Sequence, residues 1–157
     1  MLVNIGRLRE DYTRSTKVEI HDSDVDNADY ILAMIAAPLL EKLRQNKKGS
    51  GSIDDIDVPE ILRSTSAPEP VHDSDVDENH HLRWDYAINE MIFAMREIAN
   101  QRNTMDVFFD HSKVDENSSF AEQIDAIICD RIGLDAYDQR IQKGCELFGK
   151  YFQCLWS

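Results

Sequence analysis

The sequence predicts a mainly α-helical, single-domain bundle of four to five helices, with at most one or two short strands. Apolar residues recur at spacings of three and four within residues 27–47, 78–101 and 135–155, which is the helical period. A chain of 157 residues also has the usual size for one hydrophobic core. We therefore expect residues 1–157 to fold as one domain.

The first predicted helix covers residues 27–47. Its run YILAMIAAPLL is apolar nearly all round, which suits the middle of a bundle. Pro38 should kink it, because proline removes one backbone hydrogen bond. Before this helix, KVEI at 17–20 alternates as a short strand would, and residues 1–16 are expected to be loosely ordered.

Two polar loops, residues 48–57 and 65–77, are expected between the first and second long helices. The first loop opens with GSGS, and the second contains two prolines in SAPEPVHDS. Between the loops, DVPEILRST predicts a short helix that begins at Pro59, where a missing N–H has no cost.

Residues 78–101 give the clearest helical pattern of the chain. Leu82 and Phe93 lie opposite its main apolar face, so we expect this helix to be covered on two sides. The main face comprises Trp84, Ile88, Met91, Ile92, Met95, Ile98 and Ala99.

The C-terminal third is expected to contain two more helices. Residues 105–119 break the periodicity, and a strand at 106–109 or a loop fits them equally. A helix is predicted at 119–132, with Gly133 closing it, and another at 135–155. The apolar face of the last helix contains Tyr137, Ile141, Cys145, Phe148, Phe152 and Leu155.

The charge balance favours a basic protein partner over nucleic acid or membrane. Asp plus Glu number 30 against 17 Lys plus Arg, a formal charge of −13, and such a field repels phosphate groups. The longest apolar run has eleven residues, too few for a bilayer span of about 20. Three cysteines without C-x-x-C spacing fit buried packing in a reducing cytoplasm.

The hexapeptide HDSDVD occurs twice, at 21–26 and 72–77. Alternating aspartates resemble the opening of a calcium loop, but neither copy supplies the glycine and the bidentate glutamate that such a loop requires. Each copy precedes a predicted helix, so Asp26 and Asp77 are expected to bind free N–H groups of the first turn. The carboxylates expected to form a polar interaction surface are Asp22, Asp24, Asp54, Asp55, Asp57, Asp73 and Asp75.

A metal site is the chemical alternative. His81 and Asp85 are one helical turn apart, and Asp77 and Asp26 could add carboxylates; such a set could hold a divalent ion or transfer a proton. A structural His–Asp hydrogen bond explains the pair more simply. The sequence has no phosphate-binding glycine loop, nucleophile elbow or H-E-x-x-H motif, so no cofactor is predicted apart from this alternative.

Three blocks, DIDVPEILRSTSAPE, NHHLRWDYAINEMIFAM and RIQKGCELFGKYFQCLW, resemble a family of small, uncharacterised acidic proteins encoded by tailed bacteriophages. The similarity runs from about residue 17 onward. That family usually carries tryptophan near its acidic helix entries, where this chain has HDSDVD, so a role of those tryptophans does not transfer. The resemblance implies a viral protein in the cytoplasm of an infected bacterium.

The leading hypothesis is a non-enzymatic accessory protein that binds a host or phage protein with a basic surface. Its sharpest form is an antagonist that imitates DNA towards a host factor. The alternatives are a divalent-metal-dependent enzyme or nucleotide-binding protein that uses His81 and Asp85, and a minor component of the virion. Two-sided apolar helices also make a homodimer an expected form.

Overall fold

The computed structural model describes residues 1–70, 72, 75–100 and 104–156. These residues form a mainly helical structure with two small antiparallel sheets, as the sequence predicts for the fold class. The elements are β1 Leu2–Ile5, β2 Thr16–Glu19, α1 Asp22–Val25, α2 Ala28–Asn46, α3 His80–Asn100, α4 Thr104–Phe108, β3 Phe109–Asp110, α5 Phe120–Ala126, β4 Ile128–Cys129 and α6 Arg131–Lys150.

Helix α3 forms the centre of the core. Its predicted apolar face is confirmed, because Trp84, Ile88 and Met91 are each at most 1% exposed. The opposite side is covered in part: Phe93 is half-buried, whereas Leu82 is 49% exposed. Helices α2 and α6 pack on α3 and make few contacts with each other.

Pairs of side chains between the helices define their directions. On one side of α3, Arg44 donates to Asn89 at 2.6 Å, and Lys47 pairs with Asp85. The residue numbers rise on one helix as they fall on the other, so α2 and α3 are antiparallel. On the other side, Tyr137 bonds Glu97 while Arg140 bonds Glu90, so α6 is antiparallel to α3 as well. Helices α2 and α6 are therefore parallel to each other.

The segment before the second loop forms three separate 3-10 turns, Asp55–Asp57, Glu60–Leu62 and Ser64–Ser66, in place of the predicted short helix. The Asn79 side chain binds two carbonyl groups that a continuous helix would need for its own backbone hydrogen bonds. Asn79 Nδ2 donates to Ile61 O and Arg63 O, at 3.2 and 3.1 Å. Val58, only 5% exposed, packs this segment into the core.

The strands outnumber the one or two expected, since the described residues contain four. The predicted strand near 17–20 is confirmed as β2, which pairs with β1 so that Val3 lies opposite Val18. The sequence left residues 106–109 as a strand or a loop; α4 covers most of them, and β3 begins at Phe109. Strand β3 pairs with β4.

The predicted boundary between the last two helices is wrong. Helix α5 ends at Ala126 because the chain then turns into β4, and α6 already begins at Arg131. The Asp130 side chain accepts a hydrogen bond from Gly133 N at 3.0 Å, which caps the first turn of α6. Gly133 therefore opens a helix instead of closing one. Helix α6 ends at Lys150, and a 3-10 turn at Phe152–Cys154 follows.

Candidate functional site

The first copy of HDSDVD and the described residues of the second copy, 72 and 75–77, differ in structure and lie at opposite ends of the helix assembly. Residues 22–25 of the first copy are helix α1, and Asp24 accepts a hydrogen bond from His21 N at 2.8 Å. Asp24 also pairs with the amino group of Met1 at 2.9 Å. Asp22 is exposed. This copy precedes α2, whereas the second copy precedes α3, and these two helices are antiparallel.

The sequence predicted that Asp26 would cap α2, but Asp26 does not do so. It ends the short helix α1 and is exposed, and Asn27 occupies the capping position of α2 without a side-chain hydrogen bond. The prediction is wrong because the aspartates before Asp26 form a helical turn of their own, which shifts Asp26 to the end of that turn.

Asp77, in the second copy, does bind at the entrance of α3. Its carboxylate accepts a hydrogen bond from Asn79 N at 3.0 Å, and Arg83 donates to both of its oxygens at 2.8 and 2.7 Å. The hydrogen bonds from Arg83 lower the pKa of Asp77, since they stabilise its charged form. Asp75 is exposed, and Asp73 lies outside the described residues.

Asp55 belongs to the same ion-pair group. It lies 3.7 Å from Arg83 Nε and accepts a hydrogen bond from Ser64 N at 2.8 Å. Arg83 is only 6% exposed, so two carboxylates compensate one buried guanidinium. This group ties the 3-10 segment to the start of α3.

The candidate metal ligands contact other partners. His81 Nδ1 lies 2.8 Å from Ser50 Oγ, and Asp85 forms an ion pair with Lys47. Within the described ranges, no hydrogen bond joins His81 to Asp85, and no three His, Cys, Asp or Glu side chains are grouped to hold a metal ion. The fourth candidate, Asp26, lies at the far end of α2 from this pair.

Asp57 forms the densest polar cluster. Lys143 Nζ, Lys150 Nζ and Tyr151 Oη donate to its carboxylate at 2.8, 2.5 and 2.7 Å. Burial raises the pKa of Asp57, but the three hydrogen bonds outweigh burial and hold that pKa well below its usual range. Lys150 also pairs with Asp54 at 2.6 Å. The aspartates of 54–57 thus attach the 3-10 segment to α6.

A further pair joins α3 to α6 and was not predicted. Glu90 is 9% exposed and accepts two hydrogen bonds from Arg140, at 2.8 and 2.9 Å. The Arg140 guanidinium also lies 3.7 Å from the centre of the Phe93 ring. The helical period alone places Glu90 away from the Trp84 face, and only the neighbouring helix supplies its partner.

An open groove with two cavities, the α2–α6 groove, lies between α2 and α6. One end, of about 270 Å³, is lined by Asp29, Glu97 and Asp138 among other polar residues. The other end, of about 120 Å³, is wholly apolar. The apolar end is lined by Ala36, Leu39, Leu40, Leu43, Phe148, Phe152 and Leu155.

Both ends lie on the same faces of the two helices. Residues seven apart on a helix differ in direction by only about 20°. On α2, Asp29, Ala36 and Leu43 follow this spacing from the acidic to the apolar end. On α6, Ile141 lines the acidic end and Phe148, seven residues later, lines the apolar end. The two cavities therefore lie along the same faces of the two helices, over a length of about 21 Å on α2 at 1.5 Å per residue.

No helix in the described ranges is both long enough and apolar enough to cross a membrane. Comparisons with models of known protein families, with curated protein sequences and with solved structures each found no match for this chain. What the protein does is therefore inferred from its own residues.

Proposed function

We propose that this chain is a non-enzymatic accessory protein of a tailed bacteriophage, which acts in the infected cell by binding a host or phage protein with a basic surface. The observation that carries the proposal is the internal pairing of the chain's lysines and arginines. Cationic side chains of the long helices, among them Arg83, Arg140 and Lys143, pair with carboxylates of the chain itself in the Asp77, Glu90 and Asp57 groups. The remaining outward charge is predominantly negative.

The uncompensated carboxylates are spread over the surface. Asp22 and Asp75 are exposed at opposite ends, and Asp135 and Asp138 are exposed on α6. In a chain with a formal charge of −13, these groups attract a cationic surface and repel phosphate. This distribution supports a protein partner rather than direct contact with nucleic acid or a membrane.

Affinity capture during infection tests the proposal. We expect the tagged protein, expressed in phage-infected cells, to retain a partner of basic isoelectric point at low salt and to release it as ionic strength rises, because screening weakens charge attraction. Identification is by mass spectrometry, with untagged infected cells as the control. Recovery of no partner, or a salt-independent complex, contradicts the proposal. Finding the protein mainly in purified phage particles supports a virion role instead.

The narrower form of the proposal, DNA imitation, has its own readout. If the captured partner binds DNA, the purified protein should displace that DNA from it in a mobility-shift titration. Displacement that persists after Asp135→Asn and Asp138→Asn substitutions indicates that α6 does not present the imitating charges.

A further inference from the structure

We propose that the α2–α6 groove binds an amphipathic helix of the partner, with the apolar face of that helix on the apolar end of the groove and basic side chains at its acidic end. This inference rests on the proposed function and names the binding site and the chemistry of its ligand. Grooves between helices commonly receive such helices through apolar anchors spaced by three, four and seven residues.

The walls of the groove are left uncovered. Leu39 on α2 is 67% exposed and Phe152, just beyond α6, is 61% exposed, although both line the same apolar cavity. Leu32, seven residues before Leu39, is 65% exposed and extends this apolar wall along α2. Exposed apolar side chains grouped around a concave surface indicate a protein-binding site, whereas scattered ones do not.

The dimensions fit one helix. Helices α2 and α6 run parallel to each other and line the acidic end of the groove together with α3, so that a further helix between them completes a four-helix arrangement. The stretch from Asp29 to Leu43 corresponds to about 21 Å, the length of a helix of about 14 residues. An extended strand would leave its backbone groups without partners in an apolar groove, which favours a helical ligand.

The charge of the groove specifies the polar side of the ligand. Asp29 and Asp138 are exposed on the two walls at the acidic end, and Glu97 lies between them on α3. Asp135 and Glu146, also exposed, add negative charge along α6 outside the wall. A lysine or arginine at one end of the bound helix is complementary to the exposed Asp29 and Asp138, while an acidic helix is repelled.

Designed peptides test this inference directly. The probe is a labelled helix of about 14 residues, the length of the groove, with leucine on one face and lysine on the other. Two control peptides are a scrambled sequence of the same composition and a version with glutamate in place of lysine. We expect the protein to bind only the amphipathic basic peptide, as measured by fluorescence anisotropy.

Variants locate the binding site. Leu39→Glu should weaken binding of the basic peptide about tenfold or more, the effect of losing roughly 1.4 kcal/mol of contact. Asp138→Asn should weaken it about threefold at low salt and have no effect at high salt, as expected for an exposed charge pair. Leu82→Glu, which changes an exposed leucine on α3 outside the groove lining, should bind as the unmodified protein does.

Three results overturn the inference. Equal binding of the scrambled peptide, or unchanged binding by Leu39→Glu, shows that the groove is not the site. A dimer that Leu39→Glu converts to a monomer in light scattering shows that a second copy covers the groove. Capture of the same infected-cell partner by the unmodified protein and by Leu39→Glu leaves the proposed function intact but removes the groove from it.

Discussion

At the scale of single residues, the aspartates of this acidic chain divide into two groups. Asp57 and Asp55 bind lysine, arginine and serine residues of other segments, and Asp77 binds Arg83, six residues later at the start of α3. Asp22 and Asp75 are exposed, and within the described residues their side-chain carboxylates form no hydrogen bond or ion pair. The first group stabilises the fold, and the second contributes to the outward field.

Asp57→Asn should lower the free energy of unfolding at neutral pH by about 2 kcal/mol, because it removes the charge that three donors share. The folded-state pKa of Asp57 is depressed, so its contribution is present above its unfolded pKa of about 3.9 and is lost as pH falls through the folded value. The difference in unfolding free energy between the unmodified protein and Asp57→Asn should therefore shrink below about pH 4. Urea titrations across the acidic range measure it.

Asp22→Asn is the matched control for this experiment. Its carboxylate is exposed, so we expect an unfolding free energy within about 0.5 kcal/mol of that of the unmodified protein at neutral pH. Equal destabilisation by both substitutions would show that general charge reduction, and not the Asp57 cluster, determines the effect.

At the scale of elements, the contact between α3 and α6 depends on a close backbone approach. A Cβ atom added at Gly144 would lie 2.5 Å from Ala94 Cβ and even closer to the carbonyl oxygen of Glu90. The absence of a side chain there lets α6 approach α3 closely beside the Glu90–Arg140 pair. Gly149, five residues later on the same helix, has nothing within 4 Å of the added atom.

The two glycines should respond in opposite directions to alanine. Gly144→Ala should destabilise the protein by about 1–3 kcal/mol, because the helices must separate to admit the methyl group. Gly149→Ala should stabilise it by up to about 1 kcal/mol, because alanine favours the helix and meets no neighbour. Thermal and urea unfolding measure both. A stabilising Gly144→Ala would mean that α3 and α6 do not pack closely there.

Periodicity predicted the long helices well because one buried face determines each of them. The Trp84 face of α3 follows directly from that rule. The end of α5 could not be found in this way, since Gly133 is a local stop signal and Asp130 a local start signal, and the pairing of β3 with β4 decides between them. Long-range partners such as Asp57 and Lys143 leave no local pattern in the sequence.

The candidate site shows the same limit. The sequence indicated an acidic interaction surface, but it could not separate aspartates that pair internally from those that face outward. It also predicted that Leu39 and Phe152 lie within helical apolar patterns, without indicating that their shared groove stays open. Openness depends on how α2 and α6 are spaced on α3, and that is a property of tertiary packing.

At the scale of the whole molecule, the two ends of the chain differ in their attachment to the core. The β1–β2 hairpin contains no buried residue in the described part of the chain, and two-stranded hairpins are marginal alone. The C-terminal segment, by contrast, carries Tyr151, which is 5% exposed and bonds both Asp57 and the backbone N–H of Asp54.

Truncations should reveal this asymmetry. Removing residues 1–19 should change the Tm by less than about 3 °C, the shift that corresponds to roughly 1 kcal/mol in a protein of this size. Removing residues 151–157 should abolish cooperative unfolding, because it deletes Tyr151 from the core and uncovers Trp84. Circular dichroism during heating distinguishes the two. A large loss of stability from the N-terminal deletion would show that the hairpin supports the helices.

The position of the two tryptophans gives the molecule a pair of optical reporters. Trp84 is 1% exposed in the core, whereas Trp156 is 67% exposed and follows Leu155, which lines the apolar end of the groove. In the folded protein, dissolved quenchers cannot reach the Trp84 ring, whereas they can reach the Trp156 ring. Core melting and occupation of the groove can therefore be followed separately in one unlabelled sample, by spectral position and by acrylamide quenching.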